Sequence, residues 1–295
     1  MNKLIVILGP TASGKTDLSI KIAKKYNGEI VSADSRQVYK GLHIGSGKVT
    51  KKEMEGVPHW LLDVANPKRR FTVAQYQKLA TKAIKNIQKR KKLPILVGGT
   101  GFYIQSIVEG IVIPEVKPNW ELRKKLERIA LPELVKQLED IDPIRAGTID
   151  KNNPRRVLRA LEIARTLKGR VPPLRRNEPD FCTLQIGIKK NPEELKKLIN
   201  KRLFKRLEKN ALTNEVKKLH KTLSWKRLEE FGLEYRFVAQ YLQKKITYQQ
   251  MIDKIQIDSE HFAKRQMTWF KRDKKIQWLN DYREISNAID NFIKK

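Results

Sequence analysis

The stretch LIVILGPTASGKT, residues 4–16, decides the fold. It opens with an apolar run that is typical of a buried strand. Residues 9–16 then match the pattern G-x-x-x-x-G-K-[ST], a glycine-rich turn that joins such a strand to a helix. Backbone N–H groups of this turn point inward and bind phosphates, and the helix N-terminus adds positive potential. The pattern therefore predicts a polyphosphate site formed by Gly9, Pro10, Thr11, Ala12, Ser13, Gly14, Lys15 and Thr16.

Two side chains of this loop have predicted roles of their own. We expect Lys15 to neutralise phosphate charge. We expect the hydroxyl of Thr16 to ligate Mg²⁺, which is the cofactor that the sequence predicts. The pattern is specific for a polyphosphate, but it does not indicate which bond of that ligand is broken.

Strands and helices alternate around this loop. Further strands are predicted at residues 29–32, 93–97, 183–188 and 276–279, and helices at residues 15–26 and 73–90. Strands separated by helices predict an α/β fold, a P-loop NTPase-like core with a parallel sheet and right-handed crossovers. In such a sheet the ligand binds at the carboxyl ends of the strands.

Two polar residues follow predicted strands at that edge. Asp34 could hold Mg²⁺ through water or act as a general base, but an aspartate here also commonly caps a turn. Thr100 could bond a phosphate or cap a helix over residues 101–108, and these roles are compatible. The strand ending at Val97 is not followed by an acid, which argues against an ATP-driven motor.

Residues 115–179 interrupt the alternation. The segment is bounded by prolines, among them Pro114 and Pro179, and its pattern is helical. We predict a helical insertion domain here, with residues 1–114 and 180–295 forming the catalytic core. From Pro192 onward the core is predicted to consist mainly of basic helices.

The charge of the chain is strongly positive, with 63 Lys and Arg against 32 Asp and Glu and a formal net charge of +31. This excess favours a polyanionic partner, because Lys and Arg that neutralise phosphates release counterions. A lysine-rich surface without such a partner is the alternative. Arg202 and Arg206, one helical turn apart, could close over a polyphosphate, bind RNA phosphates or form a solvated face. Arg155, Arg156 and Arg159 form a second basic cluster.

Three features bear on the compartment. The single cysteine, Cys182, excludes an internal disulfide, and its apolar neighbours predict that it is buried. No apolar run approaches the roughly 18 residues of a membrane span, and the chain enters its first strand without a signal segment. We therefore expect a cytoplasmic protein with no membrane partner, and separately we expect it to be a monomer.

Several further motifs occur in a recognisable order. They are DSRQVYKG (34–41), IGSGK (44–48), PHWLLDV (58–64), FTVAQYQ (71–77), LVGGTGFY (96–103), DPIRAGTIDKNNPRRVLRALEI (142–163) and FAKRQMTWFKRD (262–273). With GPTASGKT they span nearly the whole chain. The sequence resembles the tRNA dimethylallyltransferases, the isopentenyltransferases that modify the adenosine next to the anticodon.

The resemblance implies a reaction between tRNA and dimethylallyl diphosphate. The diphosphate would bind in the loop, and the exocyclic amine of the adenosine would attack the prenyl chain and release pyrophosphate. The implied catalytic residues are Asp34 as general base, Thr100 at the reacting centre, and Lys15, Thr16 and Arg206 on the diphosphate. The implied tRNA contacts are Asp34, Ser35, Arg36, Gln37, Thr100, Arg123, Arg155, Arg156, Val157, Leu158 and Arg159.

Two departures from the family pattern lie in the C-terminal helices. Residues 207–216 are shorter than the usual segment and lack its glycine, and Glu234 stands where the family usually has glycine. Three alternative functions share part of the pattern: a small-molecule kinase, an RNA-binding or ATP-dependent RNA module, and a prenyltransferase acting on free adenylate. The net charge favours a macromolecular acceptor.

Overall fold

The computed structural model describes residues 2–114, 116, 118–173 and 175–294. The chain divides into two compact units, residues 1–110 with 178–295 and residues 111–177. The sequence-based bounds of the insertion, 115–179, lie a few residues further along the chain. The first unit contains the sheet, and the second contains four α-helices within the described residues.

The sheet of the first unit is parallel throughout its described strands. These are β1 (Lys3–Leu8), β2 (Gly28–Ala33), β3 (His59–Trp60), β4 (Leu93–Gly98), β5 (Cys182–Gly187) and β6 (Gln277–Trp278). Their spatial order is β3-β2-β4-β1-β5-β6. The predicted α/β class is thereby confirmed. The strand β3 was not predicted, because two residues are too few to show a periodicity.

The helices surround this sheet or form the second unit. They are α1 (Lys15–Lys25), α2 (Lys51–Met54), α3 (Val73–Lys89), α4 (Gly101–Val108), α5 (Trp120–Leu126), α6 (Leu131–Ile141), α7 (Pro143–Thr148), α8 (Pro154–Leu167), α9 (Pro192–Leu207), α10 (Ala211–His220), α11 (Trp225–Glu230), α12 (Leu233–Leu242), α13 (Tyr248–Phe270) and α14 (Tyr282–Lys294). Among the described residues, no helix combines the length and the apolar character that crossing a bilayer requires.

The strand β1 is central because both of its faces are apolar. It pairs with β4 on one side and β5 on the other. Leu4 and Val6 pack into a cluster with α3 and the C-terminal helices, whereas Ile5 and Ile7 pack into the opposite cluster with α1 and α14. Burying each of these side chains contributes about 1.5–3 kcal/mol, so the end of β1 is firmly placed.

The cysteine differs from its prediction. Cys182 is exposed, whereas its apolar neighbours predicted a buried thiol. It is the first residue of β5, and that strand becomes fully buried only from Leu184 onward.

The second unit has an apolar core of its own. Leu126 of α5, Leu138 of α6 and Leu161 of α8 are buried in it. Val157 and Leu158 are buried in the same core, because α8 turns its apolar face inward. These two side chains were implied as tRNA contacts, and the structure instead places them where they stabilise the insertion.

The buried carboxylate of Glu162 joins α8 to the start of α5 in this unit. Oε1 of Glu162 accepts hydrogen bonds from the backbone N–H of Asn119 at 2.6 Å and from Nε of Arg123 at 2.9 Å. Oε2 accepts from Nη2 of Arg123 at 2.6 Å and from Nη1 of Arg159. Burial acts to raise the pKa of Glu162, but the bonds from the two arginines outweigh burial and keep that pKa below its usual value. Arg123 and Arg159 are therefore engaged inside the unit.

Replacing Glu162 by alanine is expected to destabilise the insertion by roughly 2–4 kcal/mol, below the range for a fully buried pair because both arginines reach solvent. Hydrogen exchange at the α8 amides measures the change. Glu139→Ala is the matched control, since it removes an exposed ion pair with Lys151 that is worth at most about 1 kcal/mol. Equal losses of protection in the two variants would contradict the role assigned to Glu162.

Candidate functional site

The loop between β1 and α1 has a conformation that its glycines allow. Gly14, at the N-cap of α1, has a φ of +87°, in the left-handed region that favours glycine. Gly9 lies against the backbone carbonyl of Ile188, where any Cβ atom would overlap the oxygen. Thr16 is exposed in the first turn of α1. The loop therefore lies at the carboxyl edge of the sheet, directly before a helix N-terminus.

The side chain of Lys15 folds back over this loop. Its Nζ donates to the carbonyl oxygen of Pro10 at 2.5 Å and to Oγ of Ser13 at 3.4 Å. Burial and the nearby charge of Arg202, opposed in part by Asp34, together lower the pKa of Lys15 to about 7. A bound anion would favour the charged amine and offset this burial.

Asp34 and Thr100 meet at the ends of β2 and β4. Oδ1 of Asp34 accepts from the backbone N–H groups of Arg36 at 2.8 Å and Gln37 at 3.2 Å, so the turn-capping interpretation is confirmed for that oxygen. Oδ2 has no hydrogen-bond partner among the described residues, so it is available to accept a proton. Thr100 is the N-cap residue of α4, but its hydroxyl accepts from the backbone N–H of Ser35 at 3.0 Å instead of capping the helix.

A glutamine of α13 joins the two loops at this edge, and the sequence did not predict its role. Oε1 of Gln266 accepts from the backbone N–H of Thr11 at 2.8 Å, and its Nε2 donates to the carbonyl of Gly99 at 2.8 Å. Gln266 is only 7% exposed, and a Cβ atom at Gly99 would overlap its amide. It lies within the motif FAKRQMTWFKRD, which is the signal that could have found it.

Glu215 is a second residue whose role the sequence did not predict, and it holds the backbone of residues 43–45. The carboxylate of Glu215 accepts from the backbone N–H groups of His43, Ile44 and Gly45 at 3.0, 2.7 and 3.0 Å. The hydroxyl of Tyr235 donates to the same carboxylate at 2.8 Å. Gln37, implied as a tRNA contact, donates from Nε2 to the carbonyl of Gly47 at 3.2 Å. This bond holds the same segment two residues after Gly45.

A cavity of about 210 Å³ brings together some of the predicted residues of the first unit, whereas Lys15, Thr16 and Gln37 are not among the residues that line it. Thr11, Asp34 and Thr100 line it from the loops at the sheet edge, and Ser35 lies beside them. Its charged lining consists of Arg36, Arg202, Arg206, Arg236 and Arg265 with Asp34, Glu234 and Asp258. The excess of cations suits an anionic ligand beside a carboxylate that can accept a proton.

The predicted residues Arg123, Arg155, Arg156 and Arg159 belong to the second unit. Arg155 and Arg156 are exposed at the start of α8, and Nη1 of Arg156 lies 3.7 Å from Oδ2 of Asp150. These two arginines present their charge to solvent, unlike the pair that holds Glu162.

The residues present fit a magnesium ion only in company with phosphate oxygens. Among the described residues, no group of three or more His, Cys, Asp or Glu side chains could hold a metal. Thr16 offers one exposed hydroxyl beside the loop. Mg²⁺ is commonly bound by one or two protein ligands together with waters and substrate phosphates, and the hydroxyl of Thr16 fits the part of one such protein ligand.

Comparison with known proteins points in one direction. The IPP transferase family profile matches residues 37–273. The tRNA dimethylallyltransferase of Halothermothrix orenii is 39% identical over 97% of this chain and 91% of its own length. That of Carboxydothermus hydrogenoformans is 41% identical over 97% of this chain and 94% of its own length.

Solved structures agree. The full-length tRNA isopentenylpyrophosphate transferase of Bacillus halodurans matches with a TM-score of 0.74 and 35% identity, over 100% of this chain and 96% of that one. A eukaryotic dimethylallyltransferase acting on tRNA matches with a TM-score of 0.73 and 29% identity, over 90% of this chain and 69% of that one.

The pKa of Lys15, lowered to about 7, predicts that pyrophosphate binding takes up a proton above that pH. Below it the amine is already charged, whereas above it the bound anion must draw a proton onto the amine. Affinity should therefore fall by up to about tenfold per pH unit between about pH 7 and 9. Calorimetry in buffers of different ionisation enthalpy measures the uptake.

Pyrophosphate titrates too, so the comparison with variants isolates Lys15. Lys15→Met should lose the additional uptake, whereas Lys21→Met, an exposed lysine of α1, should retain it. If Lys15→Met takes up as many protons on pyrophosphate binding as the parent protein does, the additional proton does not go to Lys15.

Proposed function

This chain belongs to the IPP transferase family, and we propose that it transfers a dimethylallyl group from dimethylallyl diphosphate to tRNA. The acceptor is the exocyclic amine of the adenosine on the 3′ side of the anticodon, and the products are N6-isopentenyladenosine and pyrophosphate. The observation that carries the proposal is the single cavity in which Thr11 of the phosphate loop, Asp34, Thr100 and the arginines of α9 meet.

The reaction moves one proton and exchanges one bond. The amine nitrogen forms a bond to the first carbon of the prenyl chain, and the bond from that carbon to the diphosphate oxygen breaks. Asp34 accepts the amine proton, and its Oδ2 is the oxygen that the turn leaves available. Thr100, held by Ser35, lies at the reacting centre in this proposal.

The diphosphate is a leaving group that gains negative charge as its bond to carbon breaks. Lys15, the backbone N–H groups of residues 9–16 and a guanidinium from α9 are placed to stabilise that charge. Mg²⁺, held by Thr16 together with diphosphate oxygens, would supply further positive charge to the leaving group. No phosphoryl group is transferred, so the loop serves to bind the leaving group.

The tRNA contacts divide between the two units. We propose that Ser35, Arg36 and Gln37 contact the acceptor nucleotide, because they form the turn next to Asp34. Arg155 and Arg156 contact tRNA phosphates, since they are exposed. Arg123 and Arg159 bind Glu162 and so help to hold α8, the helix that carries Arg155 and Arg156. Because the proposed substrate is tRNA, we propose that the protein acts in the cytoplasm. Its monomeric state stays a prediction.

The proposal is tested with unmodified tRNA, dimethylallyl diphosphate and Mg²⁺. We expect one dimethylallyl group per tRNA, which nuclease digestion and mass analysis would place on the adenosine beside the anticodon. A parallel reaction replaces dimethylallyl diphosphate with ATP and small alcohols, and another replaces tRNA with AMP. Unmodified tRNA together with a phosphorylated alcohol would favour a kinase, and prenylated AMP alone would favour a free-adenylate prenyltransferase.

Asp34→Asn is expected to lower turnover by about 10²–10⁴-fold, because the amide cannot take the amine proton. The amide oxygen can still cap the turn at Arg36 and Gln37, so tRNA affinity should stay within about twofold of the parent. Single-turnover kinetics and filter binding measure the two effects. Asp253→Ala, an exposed acid of α13, is the control. Unchanged turnover in Asp34→Asn would remove Asp34 from catalysis.

A further inference from the structure

The loop after β4 carries Thr100 between two glycines, and the reason for both glycines is space. Neither Gly99 nor Gly101 has a positive φ, so the left-handed conformation that favours glycine does not explain them. A Cβ atom at Gly99 would lie 2.2 Å from Nε2 of Gln266, and one at Gly101 would lie 2.2 Å from Cδ1 of Trp269. The two glycines therefore let α13 approach this loop immediately before and immediately after Thr100.

Gln266 also joins this loop to the phosphate loop. Its Oε1 accepts from the backbone N–H of Thr11 at 2.8 Å, and its Nε2 donates to the carbonyl of Gly99 at 2.8 Å. Both ends of the amide are thus matched to a backbone group of the opposite kind. Because the side chain is only 7% exposed, removing the amide leaves two backbone groups without this partner in a largely buried place.

Thr100 is bonded in the other direction, to the end of β2. Its backbone N–H donates to the carbonyl of Ala33 at 3.1 Å, and its hydroxyl accepts from the backbone N–H of Ser35 at 3.0 Å. These two partners are the neighbours of Asp34 in the chain. A continuous series of contacts therefore runs from the phosphate loop through Gln266 and Thr100 to the turn that holds Asp34.

The contacts of Gln266 are with backbone and not with the cavity. Phe262 and Arg265 of α13 line the cavity of about 210 Å³, but within the described part of the chain Gln266 and Trp269 are not among its lining residues. Any effect of Gln266 on the reaction would therefore act through the two loops that it joins, and not through contact with a substrate.

We propose that Gln266 is a positioning residue for prenyl transfer, which fixes the phosphate loop relative to Thr100 and Asp34. The inference rests on the proposed function and adds how the leaving-group side and the proton-accepting side of the site are held at a set separation. Reacting atoms must lie within about 3–3.5 Å of each other, and a misplacement of about 1 Å can slow a reaction about 10²-fold. Trp269 supports the same loop at Gly101.

Single-turnover prenylation of tRNA, measured beside the binding of pyrophosphate and of tRNA, tests this role. Gln266→Met keeps the length of the side chain and makes neither hydrogen bond. The rate of the chemical step should fall by about 10–100-fold, with both affinities within about threefold of the parent protein. Gln249→Met, at an exposed glutamine of the same helix, is the matched control and should react like the parent. Thermal unfolding checks that each variant is folded at the assay temperature.

Gly99→Ala provides a second test from the other side of the contact. The new Cβ would take the place of the Gln266 amide and displace it, so the rate should fall by a similar factor. Gln266→Ala removes that overlap, and the Cβ at residue 99 then lies 3.4 Å from the carbonyl oxygen of Gly9. The double variant, Gly99→Ala with Gln266→Ala, should therefore react at most about threefold more slowly than Gln266→Ala alone.

Three results would overturn the proposal. A rate within twofold of the parent in Gln266→Met would mean that this residue serves packing alone. A loss of pyrophosphate affinity as large as the loss of rate would mean that it acts on binding and not on orientation. Losses that multiply in the double variant would mean that Gly99 and Gln266 act separately.

All three results leave prenylation of tRNA by the parent protein intact, so they concern Gln266 alone. A parent protein that does not prenylate tRNA would instead overturn the proposed function, and the role of Gln266 with it.

Discussion

The site depends on one constraint: the phosphate loop follows directly from β1, the central strand of the sheet, and β1 is buried on both faces. Because β1 is held between β4 and β5, Gly9 emerges directly against the carbonyl of Ile188. The strands β2 and β4 end at the same edge, so Asp34 and Thr100 arrive beside the loop although they are far from it in sequence. Parallel strands thus bring the predicted phosphate loop and the predicted proton acceptor to the same edge, although β4 lies between the two strands that they follow.

Charge at that edge is arranged by burial as much as by pairing. Lys15, Arg202 and Arg206 lie close enough that burial and mutual repulsion lower the pKa of Lys15 to about 7 and that of Arg202 to about 10. Asp34 and Glu234 oppose this repulsion. Placing these cations close together costs free energy. A bound polyanion offsets that cost, so the same cations favour binding of an anionic ligand.

The net charge of +31 does not translate directly into a surface for nucleic acid. Arg123 and Arg159 bind the buried Glu162, and Arg227 lies over the ring of Phe231 at 4.5 Å. Such arginines stabilise the fold through partners that the composition does not show. Arg155 and Arg156, exposed at the start of α8, are the kind of residue that remains for phosphate contacts.

Local patterns in the sequence were enough to predict the glycine-rich loop between β1 and α1, the parallel α/β class and the edge of the sheet at which Asp34 and Thr100 lie. An apolar run, a glycine spacing and the alternation of elements each depend on neighbours along the chain, and the ordered motifs indicated the family. The sequence did not predict the strand β3, the exposure of Cys182, or the roles of Gln266 and Glu215. Nor did it predict the ion pair between Glu234 and Arg206. Only the tertiary structure decided those features, because each depends on contacts with residues that are distant along the chain. Local periodicity does not indicate such contacts.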